Sequence, residues 1–154
     1  PRRGLIFIIG LSYNMKQQLK TNIMETVEKK AITVETLVKS PIEKVWKYWN
    51  EPEHITKWAF ASDDWHAPYS DNDLRKDGKF KTTMAAKDGS FSFDFEGVYT
   101  NVIPNKRIEY TMSDGRTVKV NFSGDASETR VVETFDPENT HPIEVQRGRW
   151  QAIM

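Results

Sequence analysis

The sequence contains no cysteine, and its charges balance, with 22 lysines and arginines against 22 aspartates and glutamates. The lack of cysteine excludes disulfides, thiolate metal sites and cysteine nucleophiles. It also suits a reducing cytosol, so we expect a cytoplasmic protein. Phosphate contacts need clustered lysine and arginine. The balanced charge, without a basic block, therefore predicts that nucleic acid is not a partner.

Long apolar runs are also missing. The apolar segment GLIFIIGL at 4–11 follows two arginines, as the core of a signal peptide does, but no small-residue cleavage site follows it. It is too short to span a bilayer, which takes about 20 residues. We expect residues 1–24 to be a leader, non-native or disordered, and residues 25–154 to be one domain.

Aromatic residues, by contrast, make up 12% of the chain, and most of the five tryptophans lie in the segment 40–66. Ser40, Pro41 and Glu43 have the spacing of a capping box with proline at the first helical position, which predicts a helix start. An apolar stripe at helical spacing follows, made of Ile42, Val45, Trp46 and Trp49. Pro52 begins a second short helix, whose apolar side carries Ile55 and Trp58.

From Trp65 onward, apolar residues alternate with a period of two, which is typical of β-strands. With a first strand at 31–38, further strands are predicted at 79–85, 91–103, 107–112, 117–122 and 128–135. Asp88-Gly89 and Asp114-Gly115 are hairpin signals. Gly97 interrupts the longest strand and predicts a bulge or a sharp bend there. Pro142 begins a last helix, with an inward side formed by Ile143, Gln146, Trp150 and Ile153.

This order of elements predicts an α+β fold in which a curved antiparallel sheet carries the C-terminal helix on its concave face. A sheet that curls around one helix leaves a space between them, which is a usual place for an apolar ligand. The alternative is plain core packing, and the two overlap because a cavity wall is also core. The aromatic candidates for a pocket lining are Trp46, Trp58, Trp65, Phe80, Phe93, Phe95, Tyr99, Tyr110 and Trp150.

The candidate ligands for a metal site are Asp63, Asp64 and His66, together with His54 in the preceding helix. These are adequate ligand types, but adjacent carboxylates on an extended chain point to opposite faces. We therefore expect no metal and no cofactor.

Catalysis has weak support in the sequence. No G-x-S-x-G motif occurs, and His141 lies in a proline-flanked loop. General acid–base chemistry is the remaining catalytic hypothesis, although charged strand residues more often form a solvated face. Its candidates are Asp94, Glu96, Arg107 and Tyr110.

Several segments together carry a family resemblance: SPIEKVW at 40–46, PEHITKW at 52–58, DDWH at 63–66, FDFEGVY at 93–99, IPNKRIEY at 103–110 and QRGRWQ at 146–151. On these residues the chain resembles the activator of heat-shock protein 90 ATPase family, in its small stand-alone bacterial form. That family belongs to the START-like (SRPBCC) superfamily with the helix-grip fold. The superfamily includes lipid carriers, polyketide cyclases, hormone receptors and co-chaperone domains, so the resemblance implies a cavity rather than one activity.

We therefore expect non-catalytic binding of a hydrophobic or amphipathic small molecule or lipid. The alternatives are a co-chaperone-like module with a chaperone partner and a role in the stress response, and a polyketide-cyclase-like enzyme. The family also ends in a longer helix than the segment from Pro142 to Met154 allows. This difference predicts an incomplete C-terminal helix and a partly uncovered inner sheet face, so that the chain is either truncated or self-associates over that face.

Overall fold

The computed structural model describes residues 30–154, so the predicted leader at 1–24 lies outside the described residues. The elements are β1 (Ile32–Val38), α1 (Ile42–Asn50), α2 (Pro52–Trp58), β2 (Trp65–Asn72), β3 (Lys79–Ala86), β4 (Ser92–Ile103), β5 (Arg107–Met112), β6 (Thr117–Gly124), β7 (Thr129–Phe135) and α3 (Ile143–Ile153). In the part of the chain that the structure describes, no helix is long and apolar enough to cross a membrane.

The seven strands form one curled antiparallel sheet in the order β1-β7-β6-β5-β4-β3-β2. Each strand from β2 to β7 pairs with its neighbour in the sequence, because short hairpins connect antiparallel strands. The first strand joins the far end by pairing with the last one. The predicted α+β helix-grip fold is confirmed, with helices α1 and α2 inserted between β1 and β2.

The core lies on the concave face, where the predicted alternation is confirmed for strands β5 and β6. The buried side chains of these strands occupy every second position: Ile108, Tyr110, Met112, Val118, Val120 and Phe122. Strand β7 continues the pattern with Thr129, Val131, Glu133 and Phe135. Burying an aliphatic or aromatic side chain contributes about 1.5–3 kcal/mol, so this face supplies much of the stability of the sheet.

Helix α1 begins differently from the prediction, and the Ser40–Glu43 capping box is wrong. Pro41 occupies the N-cap, since its carbonyl oxygen accepts from the amides of Lys44 and Val45, both at 3.1 Å. The carbonyl of Ser40 instead accepts from the Thr129 hydroxyl at 2.8 Å. Because the prolyl ring has no acceptor, no side chain among the described residues caps this helix.

Gly97 does not form the predicted bulge. It pairs regularly with Phe80 on β3 and with Met112 on β5. The register shift lies further along β4, between Tyr99 and Asn101. The pairing of β4 is therefore continuous through the glycine, and a different constraint explains why it has no side chain.

That constraint is the ring of Phe80. A Cβ at position 97 would lie 2.9 Å from Cε1 of Phe80 and 2.5 Å from the carbonyl oxygen of Thr111. The glycine thus leaves room for the ring, which contacts Tyr99 and Tyr110 with centroid separations of 5.1 and 4.8 Å. Close approach of another group is a common reason for glycine inside a strand.

Helix α3 lies along the exposed edge of β1. The Gln151 side chain donates to the carbonyl oxygen of Glu35 at 2.9 Å and accepts from the amide of Glu35 at 3.3 Å. Arg147 Nη1 donates to the carbonyl oxygen of Thr33 at 2.9 Å. An edge strand leaves such backbone groups unpaired, so the helix supplies partners that a further strand would otherwise provide.

The inward side of α3 differs from the prediction at one position. Ile143 is 40% exposed, so its inward placement is wrong. Gln146 is buried as predicted, because its amide nitrogen donates to the carbonyl oxygens of Glu138 and His141 at 3.1 and 2.7 Å. These bonds tie the start of the helix to the loop that precedes it.

The space above Gly97 gives a stability prediction. Gly97→Ala should lower the free energy of unfolding by about 1–3 kcal/mol, the usual range for overpacking a core, because the backbone oxygen of Thr111 has no room to move away. Urea denaturation measures the change. Gly148→Ala in α3 is the matched control: no atom lies within 4 Å of its added Cβ, and alanine should stabilise the helix by about 0.5–1 kcal/mol. Equal effects of the two substitutions would contradict this account of Gly97.

Candidate functional site

A cavity of about 430 Å³ lies between the concave sheet face and helix α3, with the pair α1–α2 forming another part of its wall. Small-molecule sites usually have volumes of about 300–1,000 Å³ and apolar walls with a few polar groups. The helix pair contributes Trp49, Asn50, Ile55, Trp58 and Ala59 to the wall, and α3 contributes Gln146, Arg149, Trp150 and Ile153.

Aromatic side chains dominate the sheet side of the cavity. The predicted residues that lie on the cavity wall are Trp58, Phe80, Phe93, Phe95, Tyr99, Tyr110 and Trp150. Their rings contact one another in tilted and edge-to-face arrangements, for example Phe95 with Trp150 at 5.9 Å between centroids. Trp150 also stacks on Phe135, with centroids 3.9 Å apart and planes at 16°. Contact between these rings and a ligand stays a prediction.

Two predicted lining residues, Trp46 and Trp65, do not lie on the cavity wall. Trp46 points at strand β6, where its ring meets the edge of Phe122 at 5.1 Å, because α1 packs on that strand. Trp65, at the start of β2, is absent from the wall and contacts the wall residue Phe93, with ring centroids 6.0 Å apart. Trp49, one turn after Trp46 on the same stripe, lines the cavity instead.

A neutral polar cluster interrupts the aromatic wall near β2. The Tyr99 hydroxyl donates to Oδ1 of Asn72 at 2.7 Å, and Nδ2 of Asn72 donates to the Asn50 carbonyl oxygen at 2.6 Å. The hydroxyls of Ser70 and Thr82 lie 3.0 Å apart. Burial raises the pKa of Tyr99, so its hydroxyl remains a neutral donor. These groups offer hydrogen bonds without charge.

Glu133 is a buried acid in the wall, and the sequence analysis did not identify it. Only 6% of the residue is exposed, and its Oε1 accepts from the hydroxyl of Tyr110 at 3.2 Å, across strand β6. Burial raises the pKa of Glu133 to about 7, while the hydrogen bond from Tyr110 acts in the opposite direction. Burial, followed by the charge of Glu133, raises the pKa of Tyr110 well above its usual value.

Two further charged groups of the wall, Glu138 and Arg116, are paired with neighbours. Nδ1 of His141 lies 2.6 Å from Oε1 of Glu138. The backbone amide of Thr140 also donates to that carboxylate, and together these contacts lower the pKa of Glu138 to about 2. Arg116 Nε donates to Oδ2 of Asp114 at 2.8 Å. Arg149 on α3 is exposed and has no ion pair within the described range.

The acid–base candidates do not come together. Asp94 faces away from the cavity, where its carboxylate meets Lys81 Nζ at 2.6 Å, and Glu96 is two residues further along the same face. Arg107 donates to Asn121 at 2.9 Å and is likewise absent from the cavity wall. Tyr110 alone of these candidates faces the cavity. The alternation of Val131, Glu133 and Phe135 is the sequence signal that indicates an inward Glu133 instead.

The candidate metal ligands from the sequence do not come together either. Within residues 30–154, the three carboxylate and imidazole side chains close enough to share an ion are Glu51, Glu53 and His54, whose ligand atoms lie within 4.8 Å of one another. Asp63, Asp64 and His66 do not join them. Exposed acidic groups of this kind are common on protein surfaces, and Glu51 already pairs with Lys47 at 3.7 Å.

Comparison with known proteins identifies relatives. The family model described as "Activator of Hsp90 ATPase homolog 1-like protein" matches residues 39–154. The solution structure of an AHSA1-like protein from Aeromonas hydrophila is 44% identical, with a TM-score of 0.75 over 80% of this chain and 85% of that one. A protein from Cytophaga hutchinsonii is 59% identical, with a TM-score of 0.71 over 79% and 85% of the two chains.

A more distant structure, from Chromobacterium violaceum, is 19% identical with a TM-score of 0.68 over 80% of this chain and 92% of that chain. At this identity the likeness shows the fold alone. No curated protein sequence matches the chain.

The buried acid makes stability depend on pH in a definite direction. Because the pKa of Glu133 rises from 4.5 to about 7 on folding, the folded state holds the proton more tightly, and stability falls as pH increases through this window. Between pH 4.5 and pH 8 the wild type should lose about 3 kcal/mol of unfolding free energy relative to Glu133→Gln. Urea denaturation at several pH values measures this difference.

Glu96→Gln, which removes an exposed carboxyl on the outer face, is the control and should follow the wild type at every pH. Parallel curves for the wild type and Glu133→Gln across this range would show that Glu133 is not a raised acid.

Proposed function

The chain belongs to the family of Activator of Hsp90 ATPase homolog 1-like proteins, and on that premise we propose that it binds a hydrophobic or amphipathic small molecule between the sheet and helix α3. The observation that carries the proposal is the aromatic cavity of about 430 Å³. The fold family commonly binds hydrophobic ligands, which supports this use of the cavity.

The chemistry of the wall fits such a ligand. Rings with centroids about 5–6 Å apart, such as Phe80 with Phe95 at 5.6 Å and with Tyr99 at 5.1 Å, provide a large apolar surface with little freedom to rearrange. Transfer of an apolar ligand from water to that surface is favourable in proportion to the area buried. The Asn72–Tyr99 and Glu133–Tyr110 hydrogen bonds supply the few polar groups by which we expect such a wall to orient a ligand.

The alternatives have less support. A cyclase-like enzyme would need Tyr110 and Glu133 as its acid–base groups. The raised pKa of Tyr110 keeps its hydroxyl protonated, so that it is a donor and a poor base. A co-chaperone role rests on the family description alone. Self-association and a cytoplasmic location stay predictions.

Filling the cavity should weaken ligand binding. Met84 lies in the cavity wall on β3 and is only partly buried, so Met84→Trp directs an indole into the space. We expect this substitution to weaken binding of the neutral naphthalene dye prodan by a factor of about 5 to 150, since a steric clash of about 1–3 kcal/mol corresponds to that range. Dye fluorescence titration is the measurement.

Val98→Trp is the matched control, because it adds the same ring at a residue that is 38% exposed and outside the cavity wall. It should bind prodan like the wild type, and circular dichroism should show both variants folded. Equal dye binding by the wild type and a folded Met84→Trp variant would place the dye elsewhere and contradict the proposal.

A further inference from the structure

Burial of the Glu133 carboxyl costs free energy, and its contacts with the described residues do not explain why an acid occupies this position. Its neighbours on the same face of β7 are Val131 and Phe135, which are fully or almost fully buried. An apolar side chain between them would extend the core without desolvating an acid, which costs free energy unless the group is well paired. Its one hydrogen bond, from Tyr110 at 3.2 Å, is long and satisfies a single oxygen.

The second oxygen, Oε2, has no hydrogen-bond partner among the described residues. Every fully buried side-chain nitrogen or oxygen in the described part of the chain does have a partner, so Oε2 is not fully buried although Glu133 as a whole is only 6% exposed. Because Glu133 is a wall residue, the space that Oε2 meets is the cavity. A buried acceptor aimed into an apolar cavity is a recognition group for a ligand donor.

We propose that the Glu133 carboxylate binds the ammonium group of an amphipathic amine whose apolar part occupies the aromatic cavity. The inference rests on the proposed function, since it assigns the chemical class of the ligand in that same cavity.

Aromatic rings line the same cavity as Glu133, among them Phe95, Tyr110 and Trp150. The Tyr110 hydroxyl also contacts the carboxyl directly. Aromatic faces attract ammonium groups, more strongly when the site is desolvated. A charge-assisted hydrogen bond from an ammonium to Oε2 is also stronger than one from a neutral donor. Together these groups provide both attractions that bind an organic ammonium ion.

The remaining charges of the wall leave Glu133 as the unpaired buried charge. Arg116 is held by Asp114, and Glu138 is held by His141. Asp71 on β2 and Arg149 on α3 also line the cavity, and both are exposed to solvent, where screening weakens their interactions with a ligand cation. An anionic ligand would use Arg149 instead, so the experiment includes one.

Binding of an amine should depend on pH. An ammonium partner favours the ionised carboxyl, so binding lowers the pKa of Glu133 from its free value of about 7 and releases a proton below that pH. Affinity should therefore increase with pH and level off above about pH 7. The other titratable or charged groups that line the same cavity are Asp71, Tyr99, Tyr110, Arg116, Glu138, His141 and Arg149. His141 is the histidine among these wall residues, so His141→Gln serves as a second control and should keep the pH dependence.

The test compares three ligands with the same chain and different head groups: decylamine, decanol and decanoate. Isothermal titration calorimetry at about pH 8 should give decylamine an affinity about tenfold higher than decanol, the factor expected for one hydrogen bond to a charged group. In Glu133→Gln the two affinities should become equal, while Glu96→Gln on the outer face should retain the tenfold preference.

The outcomes separate this inference from the proposed function. If decanol binds and decylamine shows no preference that depends on Glu133, the amine assignment is wrong while the cavity function stands. Tighter binding of decanoate than of decylamine would also overturn the assignment. If none of the three ligands binds, the proposed function fails as well. An affinity for decylamine that does not change between about pH 5.5 and about pH 8 would contradict the ion pair with Glu133.

Discussion

The contact of helix α3 with the curled sheet determines the rest of the structure. Trp150 stacks on Phe135 with 3.9 Å between ring centroids, and Gln151 pairs with both backbone groups of Glu35 on the edge strand. The first contact covers the ring of Phe135, which is almost fully buried, and the second satisfies polar backbone groups that an edge would expose. Because the helix is fixed along β1, it bridges the concave face without filling it, and the cavity is the space that remains.

Two residues on that face show how the cavity wall differs from an ordinary core. Gly97 leaves out a side chain so that the ring of Phe80 can lie against the sheet and meet Tyr99 and Tyr110. Glu133 introduces a carboxyl where an apolar residue would pack more favourably. The glycine improves the shape of an aromatic wall, whereas the acid reduces stability at neutral pH. Residues that oppose stability in this way are concentrated at functional sites.

Much of this architecture follows from local sequence. Both hydrophobic patterns depend only on which face of an element is buried: the helical spacing of Ile42, Val45, Trp46 and Trp49, and the alternation in strands β5 and β6. The order of elements and most of the core are therefore predictable. The choice between Trp46 and Trp49 as a cavity residue depends on how α1 docks on β6, which local spacing does not determine. The structural role of Gly97 could not be predicted for a related reason, since a bulge and a nearby ring both favour glycine in a strand.

Glu133 presents the opposite case. The alternation that buries Val131 and Phe135 places Glu133 on the same face, so the position is readable from the sequence. Its charge instead predicts a solvent-exposed side chain, because acidic side chains are seldom fully buried. Only the structure shows that the periodicity of β7 prevails over the preference of the side chain, and that Tyr110 lies close enough to donate to it.

The most direct test of the account is the position of a bound ligand. Nuclear Overhauser effects between labelled protein and decanol, a neutral ligand, report contacts within about 5 Å, the separation at which rings and ligands pack. The account predicts contacts from the decyl chain to the rings of Phe95, Tyr110 and Trp150, which line the cavity. Contacts confined to Trp65 and Phe91, which lie outside it, would contradict the central claim that the space between the sheet and α3 is the binding site.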